Sequence, residues 1–249
     1  MKILIAGYGF VGKAQEIVLK DYHEVAIYDP YLGYDNEWLN LDAIIVCVST
    51  PPNADGSCDV SNVIDIVNRA PNVPILIKST ISVEGWDQIR QQSNNKQVCF
   101  SPEFLRQATW EQDAFFKNMF IGGKGTGFWS DLYIGALGDI NITVGEPENL
   151  VAAKAFRNSF LATKVSFFNQ IFDYCDAHNL NYSEVAHAVC SDERIGFSHT
   201  NITNERGFGG HCFSKDTSAV TRSAQLAGTR LTIIEDAINY NKSIRKDNV

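Results

Sequence analysis

Five residue types in this sequence stand where they could do chemistry. Cys212 lies in the stretch Gly207-Phe208-Gly209-Gly210-His211-Cys212-Phe213-Ser214-Lys215-Asp216. Its glycines predict a flexible loop able to approach a ligand closely, and the residues after them predict the entrance of a helix. A thiol at a helix N-terminus meets the positive end of the macrodipole, which favours the nucleophilic thiolate. Asp216, four residues on along the same face, could orient a water or the thiol, and Lys215 adds positive potential. The plainer alternative is an ordinary buried cysteine after a glycine turn. Lys154 and Asn158 are four apart on a predicted helix and share a face. A lysine desolvated in so apolar a stretch could stabilise an oxyanion or move a proton; otherwise it is a surface lysine with its stem laid along apolar neighbours. Glu103, in the stretch 101–107, comes after a strand and could serve as a base or hold a hydroxyl, or be no more than a solvated loop carboxylate.

A second set of residues points to a ligand. Gly7, Gly9 and Gly12 come after an apolar strand and open a helix at Phe10. In that context the first glycine permits a tight turn, the second lets the backbone approach a pyrophosphate, and the third lets helix and strand pack closely. Asp29 ends the next strand, where an acid would hold ribose hydroxyls. Its charge would repel a 2′-phosphate, so NAD is favoured over NADP. The alternative is a structural glycine turn with a helix-capping Asp. Ser49 and Thr50, and Ser79 and Thr80, end the third and fourth apolar runs, at the strand ends where open α/β sheets bind ligands. Each pair also reads as a simple turn.

The elements that must position these residues are legible in outline. Seven apolar runs, 2–7, 24–29, 43–48, 74–79, 97–101, 119–123 and 140–145, alternate with amphipathic stretches. Near-continuous apolar strands between helices predict a parallel sheet covered on both faces. Residues 1–146 therefore read as a doubly wound Rossmann domain, α/β in class. The pattern changes at Glu146. From Pro147 to about Cys175 apolar residues recur at three and four, predicting one long helix. A second helix is expected over 181–190, capped by Asn181 or Ser183. A loop over about 193–212, helices near 214–227 and 230–245, and a frayed tail from Ser243 complete an all-helical domain, 147–249.

Composition narrows the partners. The chain is 45% hydrophobic and 20% charged with a net charge of −8. It lacks the basic stripe that nucleic acid requires. No apolar stretch reaches the ~20 residues of a membrane span. Met1 and Lys2 run directly into Ile-Leu-Ile-Ala-Gly, without the features of a secretory signal. Six cysteines are dispersed without a C-x-x-C pair, so a disulfide framework is not expected and a reducing cytoplasm is. His187 and Cys190 are three apart, but no second pair completes a metal site.

In order, GYGFVG, VSTPP (48–52), KSTI (78–81), SPEFLRQ (101–107), KAFRNSFLATKVSFFNQ (154–170), ERIG (193–196) and GFGGHCFSKD resemble the UDP-glucose/GDP-mannose dehydrogenase family from residue 1 to about 225. The resemblance implies oxidation of a nucleotide sugar's C6 alcohol to the acid with two NAD⁺ reduced, through a thiohemiacetal and a thioester on cysteine. It implies Cys212 as nucleophile and Lys154 as stabiliser of oxyanions. Asp216 with Thr80 would position water, Glu103 would be the base in thioester hydrolysis, and Asn158 would hold the substrate. Arg194 would contact the sugar phosphate of its own subunit or of the partner's. Phe104, Leu105, Phe208, Gly209 and Gly210 would join the substrate site. Tyr8, Phe10, Val11, Val48, Pro51 and Gln107 would join the glycines, Asp29, Ser49, Thr50, Ser79 and Thr80 around NAD. The helix 147–175 would make a homodimer.

The sequence departs from the family pattern at several points. Gln107 replaces a usual glutamate, His211 a usual small residue, and Asp29 lacks the basic residue that often comes next. Relatives usually continue into a third, nucleotide-binding domain, not expected here. Two other readings stand beside this one: a single-step, hydroxyacid-type dehydrogenase, and an NAD-binding homologue with a regulatory or scaffolding role.

Overall fold

The computed structural model describes residues 1–35, 38–94 and 96–246, apart from the side chain of His211. Eight strands form one sheet: β1 (Lys2–Ala6), β2 (Glu24–Asp29), β3 (Tyr34–Asp35), β4 (Ala43–Val46), β5 (Ile75–Ile77), β6 (Val98–Phe100), β7 (Asn118–Gly123) and β8 (Asn141–Val144). Their order is β3-β2-β1-β4-β5-β6-β7-β8. β1 is flanked by β2 on one side and β4 on the other, both parallel to it. The strand order therefore reverses beside β1, and a ligand crevice opens beyond the strand ends at such a point. Ile3 to Ala6, Ala43 to Val46 and Ile75 to Ile77 are wholly buried, which is why these runs read as continuously apolar rather than alternating.

Helices α1 (Phe10–Leu19), α2 (Ser61–Arg69), α3 (Val83–Gln92), α4 (Trp110–Asp113) and α5 (Thr126–Leu137) connect the strands. The wholly parallel sheet expected from the apolar runs needs correcting at two places. β6 and β7 are antiparallel, because the only helix between them, α4, is too short to carry the chain back along the sheet. The two-residue β3 pairs antiparallel to β2 and is too short and exposed to leave a hydrophobic signature.

The chain divides into two compact units: Met1–Ala54 with Cys58–Lys154, and Asp55–Ser57 with the residues from Ala155 onward. The change of pattern at Glu146 marks the start of α6 (Pro147–Ala177), whereas the division by contacts falls inside that helix. Three further helices complete the chain: α7 (Tyr182–Cys190), α8 (Gly210–Leu226) and α9 (Thr232–Ile244). Asn181, not Ser183, caps α7, its Oδ1 accepting the Ser183 N–H at 3.0 Å. α8 begins at Gly210, four residues before the expected start, so Cys212 is helical and the loop ends at Gly209. Ser243 and Ile244 still belong to α9; the rest of the frayed tail falls partly on 247–249, outside the described residues. Among the described residues no helix is long and apolar enough to cross a membrane.

Candidate active site

The glycine turn obeys steric rules that can be read atom by atom. Gly7 has φ of +91°, and a Cβ there would lie 2.6 Å from the backbone of Cys47 and Val48. A Cβ on Gly12 would lie 2.1 Å from the Gly7 carbonyl oxygen. These two positions are closed to any side chain. Gly9 differs: it is extended and caps α1 without a side-chain acceptor, and a Cβ there would meet nothing within 4 Å. Open space thus lies beside the first turn of α1, where N–H groups point outward. That geometry fits a phosphate group. Asp29 at the end of β2 is tied to the same turn, its Oδ2 accepting the Tyr8 N–H at 2.8 Å. The Tyr8 hydroxyl donates to Glu16, which pushes it up to about 12. The Tyr8 ring stands edge-on to Tyr34 of β3.

The hydroxyls at the strand ends do more internal work than expected. Thr50 is buried and donates to the Thr80 carbonyl at 2.5 Å; Ser79 donates to the Val48 carbonyl at 2.7 Å. These two bonds sew the ends of β4 and β5 together. Ser49 and Pro51 are exposed, Val48 and Thr80 partly so, and Phe10 and Val11 half-buried at the start of α1. Gln107 lies exposed in a short 3-10 turn, Gln107–Thr109.

Glu103 is not a solvated loop carboxylate. Its Oε1 accepts from Lys154 Nζ at 2.8 Å and its Oε2 from the Leu105 N–H at 2.8 Å. Lys154 also donates to the Glu103 carbonyl at 2.7 Å and lies over the Phe104 ring. Both side chains are less than a tenth exposed, so Lys154 is no surface lysine either. Two charges out of water must be paired, and each is here the other's counter-charge. A third charge lies close by and belongs to none of the expected site residues. Lys78 is buried, donates to Ser101 Oγ at 3.1 Å, and sits over the rings of Phe116 and Tyr133. Burial pushes its ammonium down to about 8. A lysine ending an otherwise apolar strand was the available signal.

In the second unit, Asn158 of α6 donates to Asp216 Oδ2 at 2.6 Å, and Lys215 donates to Asp216 Oδ1 at 2.8 Å. The Asp216 side chain is 1% exposed. Cys212 lies one turn before Asp216 on α8, at the third residue of the helix, and alone among the described cysteines it is exposed. All six cysteines are reduced thiols. Arg194 pairs with Asp192 inside an exposed turn rather than with another predicted site residue. Phe208 is buried. The glycines beside it pack close to side chains: a Cβ on Gly207 would lie 2.1 Å from Asn241 Oδ1, and one on Gly209 2.2 Å from the Arg245 guanidinium. Of the three, only Gly210, with φ of +78°, has open space around it. Asn241, Arg245 and Asn169 are the residues missed here; buried amides on helices, and an arginine just past a helix end, carry no distinctive sequence signal.

An open α/β sheet with a glycine turn at its switch point and an acid ending the second strand defines a dinucleotide-binding protein of the dehydrogenase kind. Residues 32–128 match the NAD-binding domain of the UDP-glucose/GDP-mannose dehydrogenase family, and residues 151–243 match its central domain. The chain belongs to that family, and its cofactor is NAD. It is 29% identical over 298 residues to the UDP-glucose 6-dehydrogenase of Streptococcus pneumoniae, covering 99% of this chain and 74% of the relative. To the enzyme of the same name from Campylobacter jejuni it is 27% identical, covering 87% of this chain and 66% of the relative. To that of Rickettsia prowazekii it is 30% identical, covering 84% of this chain and 51% of the relative. The fold is shared with a UDP-glucose dehydrogenase from Pyrobaculum islandicum at a TM-score of 0.85 and 23% identity, over 97% of this chain and 68% of that one. It is also shared with a 3-hydroxyisobutyrate dehydrogenase from Mycobacterium tuberculosis at a TM-score of 0.72 and 15% identity, over 97% and 93%.

Proposed function

We propose that the chain carries the catalytic residues of a nucleotide-sugar 6-dehydrogenase that oxidises the C6 alcohol of a UDP-glucose-like substrate to the acid. The observation that carries this reading is the buried Asp216 carboxylate, held by Asn158 and Lys215 one turn below the exposed thiol of Cys212. The names of the relatives agree with it.

NAD, when bound, supplies the acceptor for the hydride lost in each of the two oxidations. The turn Gly7 to Gly12, with Tyr8, Phe10 and Val11, would hold its pyrophosphate, and Asp29 its ribose. Val48, Ser49, Thr50, Pro51, Ser79, Thr80 and Gln107 would line the rest of its site. Lys154 stabilises negative charge on the C6 oxygen as the alcohol and then the hemithioacetal give up their protons to water. Cys212 adds its sulfur to the aldehyde carbon, so that the aldehyde is held rather than released. Once that adduct is oxidised, water attacks the thioester carbonyl and the sulfur leaves as thiolate. Asp216 with Thr80 orients that water and Glu103 takes its proton, which balances the charge of the departing thiolate. Asn158 holds the sugar, Arg194 its phosphate, and Phe104, Leu105, Phe208, Gly209 and Gly210 shape the substrate site. Six reduced thiols fit a cytoplasmic protein.

We also propose a homodimer through α6. Phe156, Phe160, Phe167 and Tyr174 are exposed at spacings of four, seven and seven. That spacing lines one face of a helix, and a second copy of the same face is its self-complementary partner.

The test is NADH formation from NAD⁺ with a panel of UDP- and GDP-sugars, counting equivalents. Two NADH per sugar oxidised, abolished in Cys212→Ser, is the expected result. One equivalent would mark a single-step dehydrogenase. No turnover by folded, NAD-bound protein would leave a binding module and overturn the proposal.

A further inference from the structure

Two of the three residues ahead of Gly209, the cap of α8, adopt an unusual backbone. Arg206 and Gly207 have φ of 60° and 56°, consecutive left-handed conformations that cost energy at the non-glycine position and must be held by their surroundings. They are held from two helices. From α6, the buried Asn169 accepts at Oδ1 from the Gly207 N–H at 3.1 Å and from Arg206 Nε at 2.8 Å. Arg206 also pairs with Asp173 and lies over the Phe172 ring. From α9, Asn241 Oδ1 accepts the Phe208 N–H at 2.6 Å while its Nδ2 donates to the Phe208 carbonyl at 2.9 Å. Arg245 Nη1 donates to the Arg206 carbonyl at 3.0 Å.

Asn241 thus pairs with both backbone groups of one residue, in the manner of a neighbouring β-strand. Two bonds to a single residue fix its position and its orientation together. Gly209 comes directly after Phe208, and Cys212 is the third residue of the helix that Gly209 caps. A rotation of the backbone at Phe208 would swing the N-terminus of α8 and the thiol with it. Gly207 is required because Asn241 Oδ1 occupies the place of its Cβ.

We infer that Asn241 is a positioning residue for Cys212, acting through Phe208 to set where the first turn of α8 presents the thiol. The inference rests on the reading of Cys212 as the nucleophile. Asn241→Asp is isosteric and keeps the acceptor for the Phe208 N–H, but turns a carboxylate oxygen toward the Phe208 carbonyl. Asn241→Ser removes both bonds.

The experiment measures iodoacetamide labelling of each cysteine by mass spectrometry against pH, together with kcat and KM for the sugar. NAD binding and helical circular dichroism report the fold. Wild-type Cys212 should label faster than the other five thiols. In both variants its rate and kcat should fall about tenfold or more, the scale of one neutral hydrogen bond lost, with NAD binding unchanged. In Asn241→Asp the ratio to wild type should recover as pH falls, because the protonated carboxyl regains a donor for the Phe208 carbonyl. Fast wild-type labelling with unmoved rates in both folded variants would overturn the inference alone. A wild-type Cys212 no faster than the others would overturn the nucleophile reading and this inference with it.

Discussion

Lys154 Nζ donates to Glu103 twice, to Oε1 at 2.8 Å and to the backbone carbonyl at 2.7 Å, and so locks side chain and main chain of one residue with one ammonium. Removing one partner of a buried pair strands the other charge, at a cost of roughly 3–5 kcal/mol. Lys154→Met should therefore lower stability by about that amount. The double variant Lys154→Met/Glu103→Gln should recover a large part of the loss. A double-mutant cycle by guanidinium denaturation measures this. Additive losses would mean that the two groups do not interact.

Lys78 predicts a pH dependence. Burial pushes its ammonium down to about 8 from 10.5; Cys47 and Glu103 pull it upward and Lys154 pushes it further down. Below pH 8 folded and unfolded chains both hold the proton, and the folded state bears the whole cost of the buried charge. Between pH 8 and 10.5 the unfolded chain binds more protons, so stability should rise with pH. The rise attributable to Lys78 is roughly 3 kcal/mol. Lys78→Met should remove it, with the difference between variant and wild type changing steadily across that window. Curves that stay parallel would show that Lys78 titrates normally.

Gly9 and Gly12 should part company. A Cβ at Gly12 meets the Gly7 carbonyl at 2.1 Å, so Gly12→Ala should damage the fold. Gly9→Ala meets only open space and should cost about 1 kcal/mol as a poorer helix cap, yet weaken NAD binding about tenfold or more by filling the approach to the pyrophosphate. NADH fluorescence titration beside thermal melting separates the two. Undiminished binding in Gly9→Ala would place the dinucleotide elsewhere.

Phe160 is 67% exposed on α6. In the proposed dimer it lies within the contact, and a charge buried there without a partner is costly. Phe160→Glu should convert a dimer to a monomer in sedimentation velocity. A wild-type monomer, or an unaffected dimer in the variant, would remove α6 as the interface.

Much of the fold was legible because its signals are local. Seven strands appear within a few residues of the apolar runs, and in β1, β4, β5 and β6 burial on both faces demands continuous apolar sequence. Gly7, Gly12 and Asp29 could be picked out because each answers to a backbone constraint within one βαβ unit. The antiparallel β7, the early start of α8 and the crowding at Gly207 and Gly209 were not legible. The crowding at Gly207 and Gly209 depends on Asn241 and Arg245, at sequence separations that leave no periodic trace, and the direction of β7 depends on how its connection from β6 folds.

The sequence by itself determined that the chain begins with a dinucleotide-binding α/β sheet and continues as helices carrying one cysteine at a helix entrance. Residue type and spacing suffice there, because turns, strands and helix entrances are governed by neighbouring residues. Only the tertiary structure decided which charges are paired. Glu103 and Lys154 are separated by 51 residues, Asn158 and Asp216 by 58, and Phe208 and Asn241 by 33. Whether a polar side chain is solvated or committed depends on the partner that folding brings within hydrogen-bonding reach, and that partner is chosen by the packing of distant elements.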